Sequence, residues 1–263
     1  MVKKNKISRR NFCHIMFGTS ASMMFRDILW GDVLKSKEIP SEFIFTQLQY
    51  RGGDWNPNPT SALELISFLK RRTSIESPDK MFGITLLDPD LFHFPFLYVT
   101  GKSSFLPFNE KERENMKRYI DQGGTVLIDD GSGLTDTSFD GSIKEELTKI
   151  LPGESLRPLP WDHTVFRSFY LIRILGGRRI VSNVLTGITR DDLTPVIYSR
   201  NDLSSAWAKS PSGEWIYDCV PGGEWQRDEA FKLGVNVIMY ALTANYKQDQ
   251  IHSSFIQQYL RGR

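Results

Sequence analysis

The chain is poor in the residues that most often carry covalent or metal chemistry. It has two cysteines, Cys13 and Cys219, in 263 residues. Loss of a leader carrying Cys13 would leave one, so no internal disulfide is expected even in an oxidising compartment. No basic residue flanks Cys219 in sequence to activate its thiol. No Cys/His cluster has the spacing of a structural zinc site. Gly-x-Ser-x-Gly, the Walker loop, His-Glu-x-x-His and the dinucleotide fingerprint are all missing, and no cofactor is expected. No internal repeat or low-complexity segment interrupts the chain. An excess of basic charge is missing too, although the formal net charge is +2. Five of the 33 basic residues fall in the first 25 positions, which hold no acid. That leaves 28 against 31 acidic residues beyond, a net of −3. A mildly acidic body excludes nucleic acid as the expected partner.

What is present begins with a leader. Lys3, Lys4 and Lys6 precede Ser8-Arg9-Arg10-Asn11-Phe12, and an apolar stretch follows from Phe12 to Phe25. Paired arginines before a short apolar segment are the address of the twin-arginine export pathway. Gly18, Thr19, Ser20 and Ser22 interrupt the stretch, which is too short for a span of about 20 apolar residues. No clean Ala-x-Ala cleavage site occurs, and Cys13 lacks a lipoprotein context. The expectation is a periplasmic or otherwise exported protein, held at the membrane if the segment stays uncut. The twin-arginine translocase is then its partner during export.

Residues 26–41 read as a linker closed by Pro40, 42–246 as one α/β domain, and 247–263 as a C-terminal helical tail. With 40% apolar residues, 17 Phe and 6 Trp, the body can bury a substantial core. Strands are expected over 42–50, 81–87, 94–100, 125–128, 181–188 and 195–198. Asn58-Pro59 reads as a helix start, and Ala62, Leu65, Ile66 and Leu69 keep helical spacing. Asn109 with Glu112 reads as a capping box, and Gly123-Gly124 as the stop of that helix. Ile143, Leu147 and Ile150 mark a further helix ended by Pro152. The stretch 156–169 is rich in Pro and aromatics and reads as irregular. A core helix is expected over 229–244. Alternating strands and helices predict a mostly parallel sheet with helices on both faces.

In such sheets ligands gather beyond the carboxyl ends of the strands. Candidate ligand-binding residues follow from that rule. The first strand ends in Tyr50-Arg51-Gly52-Gly53-Asp54-Trp55, where the glycines permit a tight turn. A later strand ends in Asp129-Asp130, and another runs into Asp202. His163 sits in the irregular stretch. Asp54, Asp129 and Asp130 are expected to share one pocket with the Gly52-Gly53 turn. Adjacent buried carboxylates need a cation, a metal or hydrogen-bond donors, and Arg51 or Arg200 is available. Each acid can equally be a cap of its own turn. His163 is functional if its segment folds over the strand ends and structural if it packs elsewhere. The turn after the fourth strand, where a nucleophile elbow would stand, holds Asp130-Gly131.

Several short motifs occur in a set order. They are Phe45 to Tyr50 before Gly52-Gly53-Asp54-Trp55, Phe94-Pro95-Phe96-Leu97-Tyr98 before Gly101, and Gly123-Gly124 before Leu127-Ile128-Asp129-Asp130. Leu159-Pro160 with His163, Asp202-Leu203-Ser204 with Trp207, and Gly234-Val235-Asn236 with Tyr240 follow. Together they resemble the bacterial family catalogued as domain of unknown function 4159, over about residues 42–245. The resemblance implies a class I glutamine-amidotransferase-like, flavodoxin-like fold. The amidotransferases carry a cysteine at the elbow, so that chemistry is not expected here. Relatives joined to membrane segments and aerotolerance-type domains favour an envelope protein partner.

Three functions compete. The first is binding of a polar small molecule or glycan, a carbohydrate or cell-wall fragment, at the strand ends. The second is a hydrolase using a metal held by Asp54, Asp129, Asp130 and His163, or a carboxylate pair. The third is an envelope assembly or scaffold partner.

Overall fold

The computed structural model describes residues 43–135 and 137–261. The expected leader 1–25 and linker 26–41 lie outside the described residues. From Ile44 onward the chain is one unit. Its strands are β1 (Thr46–Leu48), β2 (Phe82–Ile84), β3 (Phe96–Gly101), β4 (Thr125–Asp130), β5 (Arg157–Pro158), β6 (Thr186–Arg190) and β7 (Leu193–Ser199). They form one sheet in the order β2-β1-β3-β4-β7-β6-β5. The five from β2 to β7 pair parallel. β6 and β5 continue antiparallel. The chain steps outward from β1 to β2, then returns to lay β3 on the other side of β1.

Helices cover both faces. α1 (Ser61–Arg72), α4 (Leu203–Trp207) and α5 (Gly223–Arg261) share one layer, while α2 (Glu110–Asp121) and α3 (Ser138–Ile150) form the other. Parallel strands buried on both sides need apolar residues at successive positions, and Phe96-Leu97-Tyr98-Val99 and Val126-Leu127-Ile128 supply them. Leu97, Val99, Val126, Ile128 and Val196 face α2 and α3, meeting Met116, Ile120, Ile143 and Leu147. Each such side chain contributes about 1.5–3 kcal/mol by leaving water. On the other face Tyr98 packs 6.0 Å from Trp207, which lies 6.2 Å from Phe231. A Cβ on Gly234 would come within 2.9 Å of Leu65 and Trp207, so glycine is what lets α5 approach α1 and α4.

The elements follow local chemistry. The Asn109 side chain accepts from the Glu112 backbone N–H at 2.9 Å, and the Glu112 carboxylate accepts from the Asn109 N–H at 2.7 Å. α2 stops where Gly123 takes φ +90°. Other boundaries differ from the sequence pattern. β1 is shorter than 42–50. α1 starts at Ser61 after Thr60, because the Asn58 side chain turns away to Ser204 and Ser205. The strand expected over 181–188 lies at 186–190, since the Asn201 side chain accepts from the Val181 and Ser182 N–H groups and holds them out of the ladder. The stretch 156–169 holds only the short β5 and a 3-10 turn over Thr164–Arg167. α5 begins at Gly223 rather than 229 and continues through the expected tail to Arg261.

Candidate functional site

Five parallel strands end on one side of the sheet, at Ile84, Leu48, Gly101, Asp130 and Ser199. Successive residues of a strand point to opposite faces. Asp129 therefore faces the α1/α4/α5 layer and Asp130 faces α2 and α3. The expected single pocket for Asp54, Asp129 and Asp130 is not formed: these two neighbours face opposite layers, and β3 stands between β1 and β4.

Asp129 is fully buried. Its Oδ1 accepts from the Leu203 N–H at 2.8 Å, and its Oδ2 accepts from the Ser204 N–H at 2.8 Å and the Tyr98 hydroxyl at 2.8 Å. The carboxylate thus fastens the first turn of α4 to the end of β4. Burial, then the neighbouring Asp202, push its pKa up to about 7, while these three donors pull the other way. Burial also raises the Tyr98 hydroxyl well above its ordinary value, keeping it a donor. Among the described residues no arginine pairs with Asp129. Arg51 pairs instead with Glu112 at 3.3 Å, and Arg200 lies 3.9 Å from Asp140.

Asp130 is equally buried and closes its own turn. Its Oδ1 accepts from the Ser132 N–H at 3.0 Å and its Oδ2 from the Thr137 hydroxyl at 2.6 Å. Thr137 is also the N-cap of α3. Asp54 ties the loop after β1 to the loop after β3. Its carboxylate accepts from the Lys102 N–H at 3.0 and 3.1 Å, the Ser103 N–H at 3.1 Å and the Ser103 hydroxyl at 2.8 Å. The Leu106 N–H donates to the Arg51 carbonyl at 2.9 Å. Gly52 and Gly53 take φ +64° and +95°, a turn that side-chain-bearing residues rarely adopt. Tyr50 is buried and its hydroxyl donates to the Thr100 carbonyl at 2.7 Å. The Trp55 carbonyl accepts from Gln47 at 2.7 Å, and its ring is half-buried.

Asp202 takes a left-handed φ of +55° at the N-cap of α4. Its Oδ1 accepts from the Ser205 N–H at 3.2 Å, and its Oδ2 pairs with the Arg178 guanidinium. Burial raises its pKa and Arg178 opposes the rise.

His163 lies at the other end of the sheet. Its Nε2 meets the Thr194 hydroxyl at 2.9 Å and its Nδ1 accepts from the Val165 N–H at 3.1 Å. Thr194 stands at the start of β7, five positions or roughly 17 Å of extended strand from Ser199. An acceptor Nδ1 requires the neutral ring, and burial lowers its pKa. The cavity of about 130 Å³ lined by Asp121, Arg190, Thr194 and Tyr240 also opens at this amino end. Among the described residues no group of three or more His, Cys, Asp or Glu is placed to hold a metal ion. Cys219 is buried, and that burial pushes its thiol up to about 11.

The structure thus brings Tyr50, Arg51, Gly52, Gly53, Asp54, Trp55, Asp129, Asp130 and Asp202 to the carboxyl edge and leaves His163 apart. It adds residues that the motif reading passed over. Tyr98 and Ser204 lay inside motifs but were read only as pattern. Asn58 was read as a cap. Arg178, Lys102 and Tyr217 carried no local signal. Arg178 reaches Asp202 across 24 positions and Lys102 meets Tyr217 across 115.

The other motif residues have scaffold roles. Asn236 accepts from the Phe169 and Tyr170 N–H groups and donates to the Val165 and Tyr170 carbonyls. Tyr240 accepts from the Thr194 N–H at 2.8 Å. No curated protein matches the chain. The family described as Domain of unknown function (DUF4159) matches residues 44–242, from β1 to the middle of α5, and the chain belongs to that family.

Proposed function

We propose that this chain is an exported domain that binds a polar ligand, a carbohydrate or cell-wall fragment, at the carboxyl edge of its sheet without a Cys or Ser nucleophile. The observation that carries the reading is how that edge is built. Asp54, Asp129, Asp130 and Asp202 are each engaged by backbone or side-chain donors, so the loops they hold form a stiff receiving surface. Arg51, 62% exposed, and Trp55 stand beside the Gly52-Gly53 turn, where the strand order reverses between β1 and β3. Open α/β sheets take ligands at such a reversal. Trp55 offers a flat face for a sugar ring and Arg51 offers donors for its hydroxyls. Tyr50, Asp129, Asp130 and Asp202 act as positioning residues behind this surface. His163, at the far end, has no part in it.

The parallel order β2-β1-β3-β4-β7 supports a flavodoxin-like sheet of the kind used by class I glutamine amidotransferases. Asp130-Gly131 at the turn after β4 supports binding over acyl transfer. Arg9-Arg10 ahead of the apolar run supports export by the twin-arginine route to the periplasm. The hydrolase reading loses its constellation, because Asp129 and Asp130 face opposite layers and His163 is remote.

The reading is tested by thermal shift of the full chain against a panel of envelope saccharides. A ligand that binds only the folded state raises the melting temperature. A rise that Trp55→Ala removes is expected, and a flat panel would sink the proposal. A second reading, an envelope assembly partner, draws on the exposed apolar side chains of Leu171, Ile174, Ile180, Ile216 and Trp225. Exposed apolar surface of that kind commonly marks association. Cross-linking in intact cells distinguishes it.

A further inference from the structure

At the carboxyl edge Asp129, Asp130 and Asp202 are buried, and two cations meet on one tyrosine. Lys102 follows β3 directly. Its backbone N–H is held by Asp54, which fixes where the side chain starts. Its Nζ lies 3.5 Å from the Tyr217 hydroxyl and 5.1 Å from the centre of that ring. Among the described residues Lys102 makes no ion pair with a carboxylate. On the same ring, the Arg178 guanidinium sits 5.7 Å from the centre. Arg178 is anchored by Asp202 and donates to the Ser132 carbonyl at 2.9 Å. Tyr217 is held in turn through its carbonyl, which accepts from Arg227 at 2.7 Å. Two cations from the loops after β3 and before β6 therefore meet on one tyrosine, beside the turn after β4. Arg179 is exposed next to them, and Asp218, also exposed, pairs with neither cation.

A tyrosine ring attracts cations through its electron-rich face, but it cannot neutralise them. Of the two positive groups kept together on this ring, only Arg178 has a carboxylate partner, Asp202, so the Lys102 ammonium is left to bind an anion. We infer that Lys102, Tyr217 and Arg178 form a clamp for an oxyanion carried on a saccharide, either a carboxylate or a phosphate. Lys102 supplies a mobile ammonium, Arg178 a fixed guanidinium, and the Tyr217 hydroxyl a further donor. The inference rests on the proposed glycan-binding function and specifies the charge of its ligand.

The test is calorimetric titration of the full chain with trigalacturonate, with neutral maltotriose and with inorganic phosphate, at low and high salt. Trigalacturonate is expected to bind and maltotriose to bind more weakly or not at all. Lys102→Gln should lower the acidic affinity about tenfold, the loss of one charge-assisted contact, whereas Lys102→Arg should retain it. Salt should weaken binding in step. Unchanged melting temperatures keep folding separate from binding. Phosphate bound in a Lys102-dependent way, without trigalacturonate, supports the clamp with a phosphoryl source. Equal binding of both saccharides, indifferent to Lys102→Gln, overturns the clamp and leaves the glycan reading standing. Binding of none of the three overturns the clamp, while a thermal shift with another neutral envelope saccharide would still uphold the glycan reading.

Discussion

The protonation of Asp129 should be measurable in the stability of the chain. Its folded pKa is about 7 against an ordinary 3.8. The native state therefore binds more protons than the unfolded state between those values, and the slope of stability with pH is negative there. The contribution is fully present below about pH 4 and is lost as pH rises through about 7. Asp202 is shifted in the same direction, whereas Asp121 and Asp140 are shifted oppositely. The difference between wild type and Asp129→Asn isolates the effect. Urea titrations across that range should show a smaller fall in stability with rising pH for the variant, and identical slopes would refute the assignment. His163→Ala should cost about 1 kcal/mol through a lost cap and a lost hydrogen bond. It should leave any binding at the carboxyl edge intact, because the side chain lies at the amino end. A variant of unchanged stability with impaired ligand binding would contradict that placement. The acids of the edge were legible in the sequence as strand-end residues. Their partners were not, since the donors to Asp129 come from β3 and α4 and only the folded chain unites them.

Helices with chemical start and stop signals were the most legible elements. Asn109 and Glu112 read as a box and form one, while Asn58-Pro59 reads as a start and Asn58 is drawn instead to Ser204 and Ser205. The difference is that a box is satisfied within four residues, whereas Asn58 meets a polar group 146 positions away. Asn109→Ala should cost about 1 kcal/mol, measured by denaturant midpoint, and Glu112→Ala should also release Arg51. Strands were legible as apolar runs but not in length, because pairing partners and side-chain caps such as Asn201 decide where a ladder ends. At the end of β3, a Cβ on Gly101 would fall 2.1 Å from the Tyr50 hydroxyl oxygen, which is pinned on the Thr100 carbonyl. Gly101→Ala should destabilise by about 1–3 kcal/mol. Tyr50→Phe in the same background should recover part of that loss, and failure to do so would place the strain elsewhere.

Across the whole molecule, the three layers are coupled at one edge of the sheet. Fold class was legible from alternation of strands and helices, and the antiparallel extension by β6 and β5 was not, because the hairpin turn at Asp191-Asp192 uses positive φ without glycine. The proposed export by the twin-arginine route is tested on the full chain. Replacing Arg9 and Arg10 together by Lys should retain the protein in the cytoplasm, and unchanged periplasmic recovery would refute the twin-arginine route. Asp129 and Asp130 are two identical letters side by side. One anchors the layer above the sheet and the other the loop that leads to the layer below. Exchanging them changes nothing, yet deleting either, or shifting β4 by one position, would hand each layer the wrong anchor. Drift within this family should therefore treat them as unlinked. Chains that lose the first acid should also change Tyr98, and chains that lose the second should change Thr137, with neither loss predicting the other.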